Sequence, residues 1–378
     1  MKKLNLFISV LLTVCLCGCG TSEKAETTSF DTGVVAPTES LFEVPVYGET
    51  PSEGTSDGEE EIAEEITPTE IPEEPTFDIV LSFTGDNMLA EYKNGRTENG
   101  FNAHTDNNPP SYFMEKVAHY FLEDDFTVIN LENVFTDRNL PCRIKDEDPA
   151  YFYCSSTKNT EILTSSGIEI ANCCNNHIRD YGYDGMNDTF DALEAAGISK
   201  NFNEITYYEK NGFKIALMCV ALWVSGQESS GITLLEEAKE NSDFQIVYFH
   251  GDSMYKHAPS EVVKNGCHRF VDNGADLVIG CHPHVLQPVE IYNEVPIVYS
   301  LGNFCYGGSK KPENRTIIYQ YKIIVDKETL TVTGTEENIV PCYVYTGESN
   351  NYQPAEIEDE EERLAVLDFM AGKREKPF

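Results

Sequence analysis

Short apolar runs alternate with amphipathic stretches along the chain from residue 77 onward. Runs such as Phe77–Phe83 and Phe126–Leu131 are rich in β-branched and aromatic residues, which is typical of buried strands. Apolar positions three or four residues apart predict helices over Ser111–Glu123 and Gly185–Ala196. This alternation predicts an α/β (α+β) protein with its folded region at 77–378.

Further elements follow from the same two periodicities and from turn residues. The pair Asn211-Gly212 favours a tight turn, so Tyr207–Leu222 is predicted to be a β-hairpin. The remaining predictions are strands at Ile168–Ala171, Phe244–Phe249, Asp276–Gly280, Val289–Tyr292 and Ile297–Tyr299, helices at Lys158–Ser165, Pro259–Asn273 and Glu358–Met370, and a late hairpin formed by Thr316–Val325 and Thr329–Thr335.

The first 19 residues follow the plan of a bacterial signal peptide. Two lysines precede the apolar run Leu4–Val14, which is too short to span a membrane permanently. The tetrad Leu16-Cys17-Gly18-Cys19 resembles a lipobox, in which the final cysteine is acylated. Cys19 is therefore the predicted lipid anchor, and ordinary secretion with cleavage nearby is the alternative. Two acyl chains would hold the protein on the extracytoplasmic face of the cell membrane.

Residues 20–76 contain sixteen acidic residues and one basic residue, Lys24, with no lasting apolar period. Such a segment cannot bury enough apolar surface to offset its ordering entropy, so we predict a disordered acidic tether. The whole chain has a net charge of −37, and residues 77–378 account for −24, with 24 basic and 48 acidic residues. A protein this acidic is not expected to bind nucleic acid.

Nine cysteines fall within residues 77–378, and an odd number does not indicate a complete disulfide framework. Cys142 and Cys154 bracket a turn-rich stretch and could pair. The favoured interpretation is that most of the nine are small buried apolar side chains.

Polar residues of the types that bind metals follow several predicted strands. Taken singly, each has an ordinary explanation: Asp86 could cap a helix, Glu132 could lie in a surface turn, and His250 could be a hydrogen-bonded core histidine. Because the carboxyl ends of strands meet at one edge of an α/β sheet, we expect a single cluster. Its members would be Asp86, Glu132, Asn176, His177, His250, His282 and His284.

The residue types indicate the chemistry of this cluster. Carboxylate oxygens and imidazole nitrogens together suit Zn, Mn or Fe. A central carboxylate can bridge two such ions, so we expect two divalent metal ions. His177, beside the ligand-type Asn176, could be a general acid. The spacing His282-x-His284 puts two side chains on the same side of an extended segment.

Several ordered strings are more specific than any single residue. They are Phe83-Thr84-Gly85-Asp86, Asn130-Leu131-Glu132, Asn175-Asn176-His177-Ile178-Arg179-Asp180, His282-Pro283-His284-Val285-Leu286-Gln287-Pro288 and Tyr299-Ser300-Leu301-Gly302-Asn303-Phe304. Over about residues 77–308 the chain resembles the CapA family of capsule-synthesis or poly-γ-glutamate biosynthesis proteins. The resemblance implies a metallophosphatase-like fold, a four-layer α/β/β/α sandwich of two sheets flanked by helices.

The resemblance also implies roles for individual residues, by analogy with calcineurin-like phosphoesterases. Asp86 would be the ligand of the first motif, and Glu132 would be the bridging carboxylate. His177 would be the catalytic acid. The other ligands would be Asn176, His250, His282 and His284, and the residues expected to support them are Asn175, Asp180 and Asn303.

The function implied is that of a surface-attached protein handling poly-γ-glutamate or a related anionic envelope polymer, with a membrane synthase complex as a possible partner. Three interpretations stay open. The first is a metal-dependent hydrolase or transferase acting on the polymer. The second is a phosphoesterase of the metallophosphatase superfamily, and the third is a non-catalytic protein for polymer binding or export.

Two features qualify this expectation. The family usually has a His-Trp-Gly-x-Glu-Tyr-like segment, whereas this chain reads His250-Gly251-Asp252-Ser253-Met254-Tyr255, with Met254 at the glutamate position. The charge of −24 argues against a long polyanion lying across the general surface, unless a basic groove offsets it. Candidates for such a groove are Arg143, Lys145, Arg179, Lys256, His257 and Arg269.

Overall fold

A computed structural model describes residues 74–92, 99–145, 150–306 and 314–378. The predicted signal peptide, Cys19 and residues 20–73 of the predicted tether lie outside the described residues. The first strand begins at Thr76, next to the predicted start of the folded domain. Among the described residues, no helix has both the length and the apolar character needed to cross a membrane.

The described part of the chain forms sixteen strands and seven α-helices. The strands are β1 Thr76–Asn87, β2 Glu91–Tyr92, β3 Phe126–Leu131, β4 Val134–Phe135, β5 Tyr153–Ser155, β6 Ile170–Asn172, β7 Ser199–Asn201, β8 Ile205–Lys210, β9 Phe213–Leu222, β10 Phe244–Gly251, β11 Leu277–Cys281, β12 Leu286–Tyr292, β13 Val295–Leu301, β14 Arg315–Asp326, β15 Val332–Tyr343 and β16 Ala355–Glu356. The helices are α1 Phe101–Asn107, α2 Ala118–Leu122, α3 Thr160–Thr164, α4 Gly182–Ala195, α5 Glu228–Asn241, α6 Glu261–Asp272 and α7 Glu360–Met370.

Two mixed sheets form the centre of the molecule. The seven-stranded sheet has the order β16-β15-β14-β1-β3-β6-β7, and the six-stranded sheet has the order β12-β13-β11-β10-β9-β8. In the first sheet, β1, β3, β6 and β7 run parallel, and in the second, β9, β10, β11 and β13 do so. A small third sheet pairs β2, β5 and β4. Parallel strands of each large sheet therefore deliver their carboxyl ends to one edge.

Three apolar clusters hold the layers together. Side chains such as Phe83 and Tyr319 from the seven-stranded sheet pack against Ile246 and Tyr248 from the six-stranded sheet. A second cluster joins the outer face of the seven-stranded sheet to α1, α3 and α4, and a third joins the outer face of the six-stranded sheet to α5 and α6. The predicted four-layer α/β/β/α sandwich of two sheets flanked by helices is confirmed.

Most predicted elements are present. The short elements α1, β2, β4, β5, β7 and β16 were not predicted, and three larger differences follow. The helix predicted over Ser111–Glu123 is broken into a 3₁₀ turn at Pro110–Phe113 and the short α2, because Met114 and Val117 between them turn inward and are fully buried. Helix α5 was not predicted, since it buries only small or scattered residues. Its buried positions are Glu228, Gly231, Leu235 and Ala238.

The third difference concerns the end of β1. The strand continues through Asp86 to Asn87 instead of stopping at Thr84. The register of its pairing with β3 shifts by one residue between Thr84 and Asp86, and the pairing then continues to Asn87. Asp86 is thus held within a strand.

Seven of the nine described cysteines are buried thiols, which agrees with the favoured interpretation of most of them as packing residues. They are Cys173, Cys174, Cys219, Cys267, Cys281, Cys305 and Cys342.

Candidate metal centre

The two sheets contribute equally to one cluster at their shared carboxyl edge. From the seven-stranded sheet come Asp86 near the end of β1, Glu132 just after β3, and Asn176 in the segment after β6. From the six-stranded sheet come His250 near the end of β10 and, from the segment that follows β11, His282 and His284. The six side chains predicted as ligands are therefore brought together, although up to 198 residues separate them along the chain.

A glycine contact fixes the two sheets at this edge. The amide of Asp86 donates to the carbonyl oxygen of Gly302 at 2.9 Å, and the amide of Phe304 donates to the carbonyl oxygen of Asp86 at 2.8 Å. A Cβ atom on Gly85 would lie 1.8 Å from the oxygen of Gly302, so only glycine fits. Gly302 itself has φ +74°, a conformation that favours glycine. The string Tyr299–Phe304 is thereby tied to β1.

Asp86 lies between two histidines. Its Oδ2 is 3.1 Å from Nδ1 of His284, and its Oδ1 is 3.7 Å from Nδ1 of His250. Burial raises the pKa of Asp86, but the hydrogen bond and positive charge of His284 outweigh this effect and leave the pKa below its ordinary value. Burial lowers the pKa of His284, whereas Glu132 and Asp86 raise it to a net value of about 9. Asp86 is therefore an anion.

Glu132 is the unusual member of the cluster. It is fully buried, and among the described residues neither carboxylate oxygen accepts a hydrogen bond. Its Oε1 lies 3.6 Å from Nε2 of His250 and 4.0 Å from Nε2 of His177. Burial, followed by the charge of Asp86, raises the pKa of Glu132 well above its ordinary range. A buried carboxylate without hydrogen bonds is costly, and a cation beside it would remove the cost.

His250 and His282 bring imidazole nitrogens together. Nε2 of His250 lies 3.1 Å from Nδ1 of His282 and 2.9 Å from Oδ1 of Asn176. Burial lowers the pKa of His250 to about 3 and also lowers the pKa of His282, so both rings are neutral. A neutral imidazole has a lone pair available for a metal ion. His282 also has φ 103°, and such backbone strain in a non-glycine residue is concentrated at functional sites.

The ligand-type atoms fall into two groups of three. One group is Asp86, His250 and Cys281, and the other is Glu132, His282 and His284, with the atoms of each group within 4.8 Å of one another. The mixture of carboxylate, imidazole and sulfur fits a borderline divalent ion. The pKa of Cys281 is raised by burial and by Asp86 and Glu132, so its sulfur is a neutral thiol beside His250.

His177 lies beside these groups. Its Nδ1 is 2.8 Å from Oδ2 of Asp180 and 3.5 Å from Nζ of Lys145, while its Nε2 faces Glu132. Burial lowers the pKa of His177, and Asp180 only partly reverses the effect. The ring is 8% exposed, so it is more enclosed than a residue at a pocket rim. Asp180 fixes the ring through Nδ1, and Nε2 faces the cluster.

The three residues expected to support the ligands contact the cluster as follows. Asn303 places Oδ1 2.9 Å from Nδ1 of His284, and Asp180 orients His177. Asn175 accepts hydrogen bonds from the amides of His177 and Ile178, which shapes the turn after β6.

Two contributors were not predicted. Asn130 donates from Nδ2 to Oδ1 of Asp86 and accepts from Nδ2 of Asn175, so it links two strands. Its position two residues before Glu132 puts it on the same side of the extended chain, which is the signal that could have identified it. Trp223, at the end of β9, packs edge-on against the rings of His250 and His282, with centroids 5.5 and 4.4 Å away. It is the single tryptophan of the chain.

Comparisons with known proteins agree with the sequence pattern. The family described as bacterial capsule synthesis protein PGA_cap matches residues 80–307. The chain is similar to the PGA biosynthesis protein CapA of Bacillus subtilis (strain 168), with 29% identity over 67% of this chain and 71% of the relative. It is also similar to the capsule biosynthesis protein CapA of Bacillus anthracis, with 27% identity over 56% of this chain and 58% of the relative.

A solved structure described as a novel phosphatase from Mycoplasma pneumoniae aligns with 70% of this chain and 94% of its own length. The alignment has 16% identity and a TM-score of 0.42.

Proposed function

Because the chain belongs to the family of bacterial capsule synthesis proteins PGA_cap, as its resemblance to CapA predicted, we propose that it acts in capsule or poly-γ-glutamate biosynthesis. We infer a metal-dependent hydrolase or transferase that acts on an anionic envelope polymer. The observation that supports this chemistry is the fully buried carboxylate of Glu132, which has no hydrogen-bond donor among the described residues and faces imidazole nitrogens.

The ligands would come from both sheets. Asp86 and His250 would hold one ion, and His282 and His284 would hold a second, which would take the place of the proton on His284. Glu132, grouped with His282 and His284 and also close to His250, would be available to both ions. Asn176 adds an amide oxygen. Zn, Mn and Fe each suit this donor set, and two such ions would polarise a carbonyl or phosphoryl oxygen and activate water.

The chain's own residues supply orientation and proton transfer. Asp180 holds the ring of His177 through Nδ1, which directs Nε2 toward the centre. We infer that this nitrogen would transfer a proton to a leaving group. Trp223 covers one side of the histidine pair, which limits the access of water to their nitrogens.

The proposed location is the extracytoplasmic face of the membrane. It rests on the lipobox-like tetrad that ends at Cys19 and on the acidic segment that follows. A membrane synthase complex is the proposed partner, because a surface protein of polymer biosynthesis must act where the polymer emerges.

Metal analysis of the purified full chain tests the proposal. We expect about two equivalents of a divalent ion in the wild type, and loss of metal and activity together in His282→Ala. His119→Ala is the matched control, since that histidine is half exposed and pairs with Glu356 away from the cluster. Cleavage of γ-glutamyl peptides supports the proposal, and turnover of p-nitrophenyl phosphate alone assigns a phosphoesterase instead. If the wild type binds no metal when zinc or manganese is supplied at neutral pH, the enzyme proposal is wrong and a non-catalytic polymer-binding protein replaces it.

A further inference from the structure

A groove of about 620 Å³ lies beside the candidate metal centre, between the loop that follows β10 and the residues that follow α7. Its volume is in the range of ligand pockets. The residues after α7 lie outside the stretch matched by the family, which ends at residue 307. The groove is thus built partly by a region that family membership does not explain.

The groove has a positive lining in a strongly acidic protein. Lys256, Arg374 and Lys376 line it and are exposed. Among the described residues, no carboxylate lies within 4.0 Å of the side-chain nitrogen of Lys256 or Lys376. Nζ of Lys376 lies over the ring of Phe378, 5.7 Å from its centroid, and Arg374 donates to the carbonyl oxygen of the same residue. The two ammonium groups therefore stay available to an anion.

The acidic residues of the groove only partly offset this charge. Asp252 is already engaged: it accepts hydrogen bonds from the amides of Ser253 and Ser260 in its own loop and from Nε2 of Gln287. Glu375 is the other acidic residue in the lining. The lining has three cationic and two acidic side chains, with Arg374 bonded to the main-chain oxygen of Phe378, whereas residues 77–378 as a whole have a charge of −24.

Apolar surface lies between these charges. Phe369 and Pro288 line the groove, and the ring of His257 packs edge-on against Phe369 with centroids 5.5 Å apart. A ligand that fits has anionic groups for the lysines and methylene groups for this floor. A γ-linked glutamate chain has both, since each monomer combines two methylene groups with one free carboxylate.

The loop after β10 connects the groove to the metal centre. The amide of Tyr255 donates to the carbonyl oxygen of Pro283, which lies between His282 and His284, at 2.8 Å. The ring of Tyr255 lies 6.1 Å from the ring of His284. Gln287, just beyond that segment, donates to the carbonyl oxygen of Lys256 at 2.9 Å. A chain bound in the groove therefore lies next to the segment that carries two candidate ligands.

We propose that this groove binds carboxylate-bearing polymer, with Lys256 and Lys376 contacting successive carboxylates, and leads it toward the metal centre. The proposal rests on the proposed function, because it takes the polymer as the substrate. It accounts for how so acidic a protein holds a polyanion: the ligand meets one local positive groove and avoids the rest of the surface.

The test is binding of fluorescently labelled poly-γ-glutamate to the full chain, followed by anisotropy, in the presence of a chelator so that metal does not contribute. Lys256→Glu combined with Lys376→Glu is expected to lower affinity at least tenfold, and the wild-type affinity is expected to fall steeply with added salt. Lys327→Glu is the matched control. Lys327 is exposed and lies beside the start of β1, at the opposite end of that strand from Asp86.

Metal content, measured on the same preparations before the chelator is added, separates the two proposals. If the double variant binds poly-γ-glutamate as tightly as the wild type does, the groove is not the binding site, even if the metal is present. A wild type without metal, whose polymer binding still depends on both lysines, overturns the hydrolase and leaves the groove standing. Binding of inorganic polyphosphate at least ten times tighter than poly-γ-glutamate would assign the groove to phosphate polymers and overturn the carboxylate assignment.

Discussion

Nζ of Lys145 lies 2.7 Å from Oδ1 of Asp180, and the two side chains are 3% and 0% exposed. The other oxygen of Asp180 holds His177, so this buried ion pair stands directly behind the proposed acid. Lysine side chains are seldom buried without such a partner. The pair therefore ties the residues around Lys145, between β4 and β5, to the segment that carries Asp180, between β6 and α4.

The Lys145–Asp180 pair gives the first prediction. Lys145→Met should lower the free energy of unfolding by about 3–5 kcal/mol, because it leaves the buried carboxylate of Asp180 without its cationic partner. Urea unfolding measures the change. Lys200→Met is the control: it removes an exposed pair with Glu204 and should cost less than about 1 kcal/mol. Equal, small effects of both variants would contradict a structural role for the buried pair.

His177 gives the second prediction. His177→Ala should leave metal content unchanged, because the ligands remain, and should lower turnover by roughly 10²–10⁴-fold. Metal analysis and steady-state kinetics on the same preparation measure the two effects. Loss of metal in this variant would make His177 a ligand, and unchanged turnover would remove it from the reaction.

Stability should depend on pH through Asp124. Burial raises the pKa of Asp124 from 3.8 to about 7, despite hydrogen bonds from Ser82 and Thr127. A raised pKa favours the protonated folded state, so this contribution to stability is present below about pH 4 and is lost as pH rises through 7. Asp124→Asn should therefore stabilise the protein by about 1–2 kcal/mol at pH 8 and have little effect at pH 4.

Thermal unfolding at both pH values measures this effect. The control is the neighbouring Asp125, which accepts a hydrogen bond from the amide of Val80 and pairs with Lys210 at 2.6 Å. Asp125→Asn should instead destabilise the protein at pH 8. A destabilising Asp124→Asn at pH 8 would show that its carboxylate is ionised and well solvated.

Membrane attachment is the fourth prediction. Cys19→Ser should release the protein from the membrane fraction, because acylation needs the thiol. Fractionation followed by immunoblotting measures it. A serine variant that stays in the membrane, together with a wild type that keeps its first 18 residues, would refute the lipid anchor.

The strand-end pattern was enough to predict the ligand-type residues of the site. Asp86, Glu132 and His250 each close a short apolar run, and parallel strands bring such positions to one edge. The position of a residue along a strand does not predict which side chains from other strands or loops it contacts. Trp223 was therefore missed, and Lys145 was interpreted as part of a basic groove although it is buried beside Asp180, since each meets the site through residues far away in the chain.

Helices were predicted less well than strands for a related reason. A helix is recognised by large apolar residues on one face, and α5 buries Gly231 and Ala238 among few larger side chains. In the break before α2, burial of Met114 and Val117 overrides a good helical pattern. In both places tertiary packing decides the local structure, and a single sequence does not contain that information directly.

The contact between Gly85 and Gly302 holds two sheets at the edge where each supplies three of the six candidate ligands. An ion bound there would cross-link the halves of the sandwich, and its binding energy would add to the energy of folding. With free metal at a thousand times its dissociation constant, the gain would be about 4 kcal/mol, a large share of the stability of an ordinary domain. Removal of the metal would then lower the stability of both sheets together, and the supply of metal would set how much of the protein stays folded.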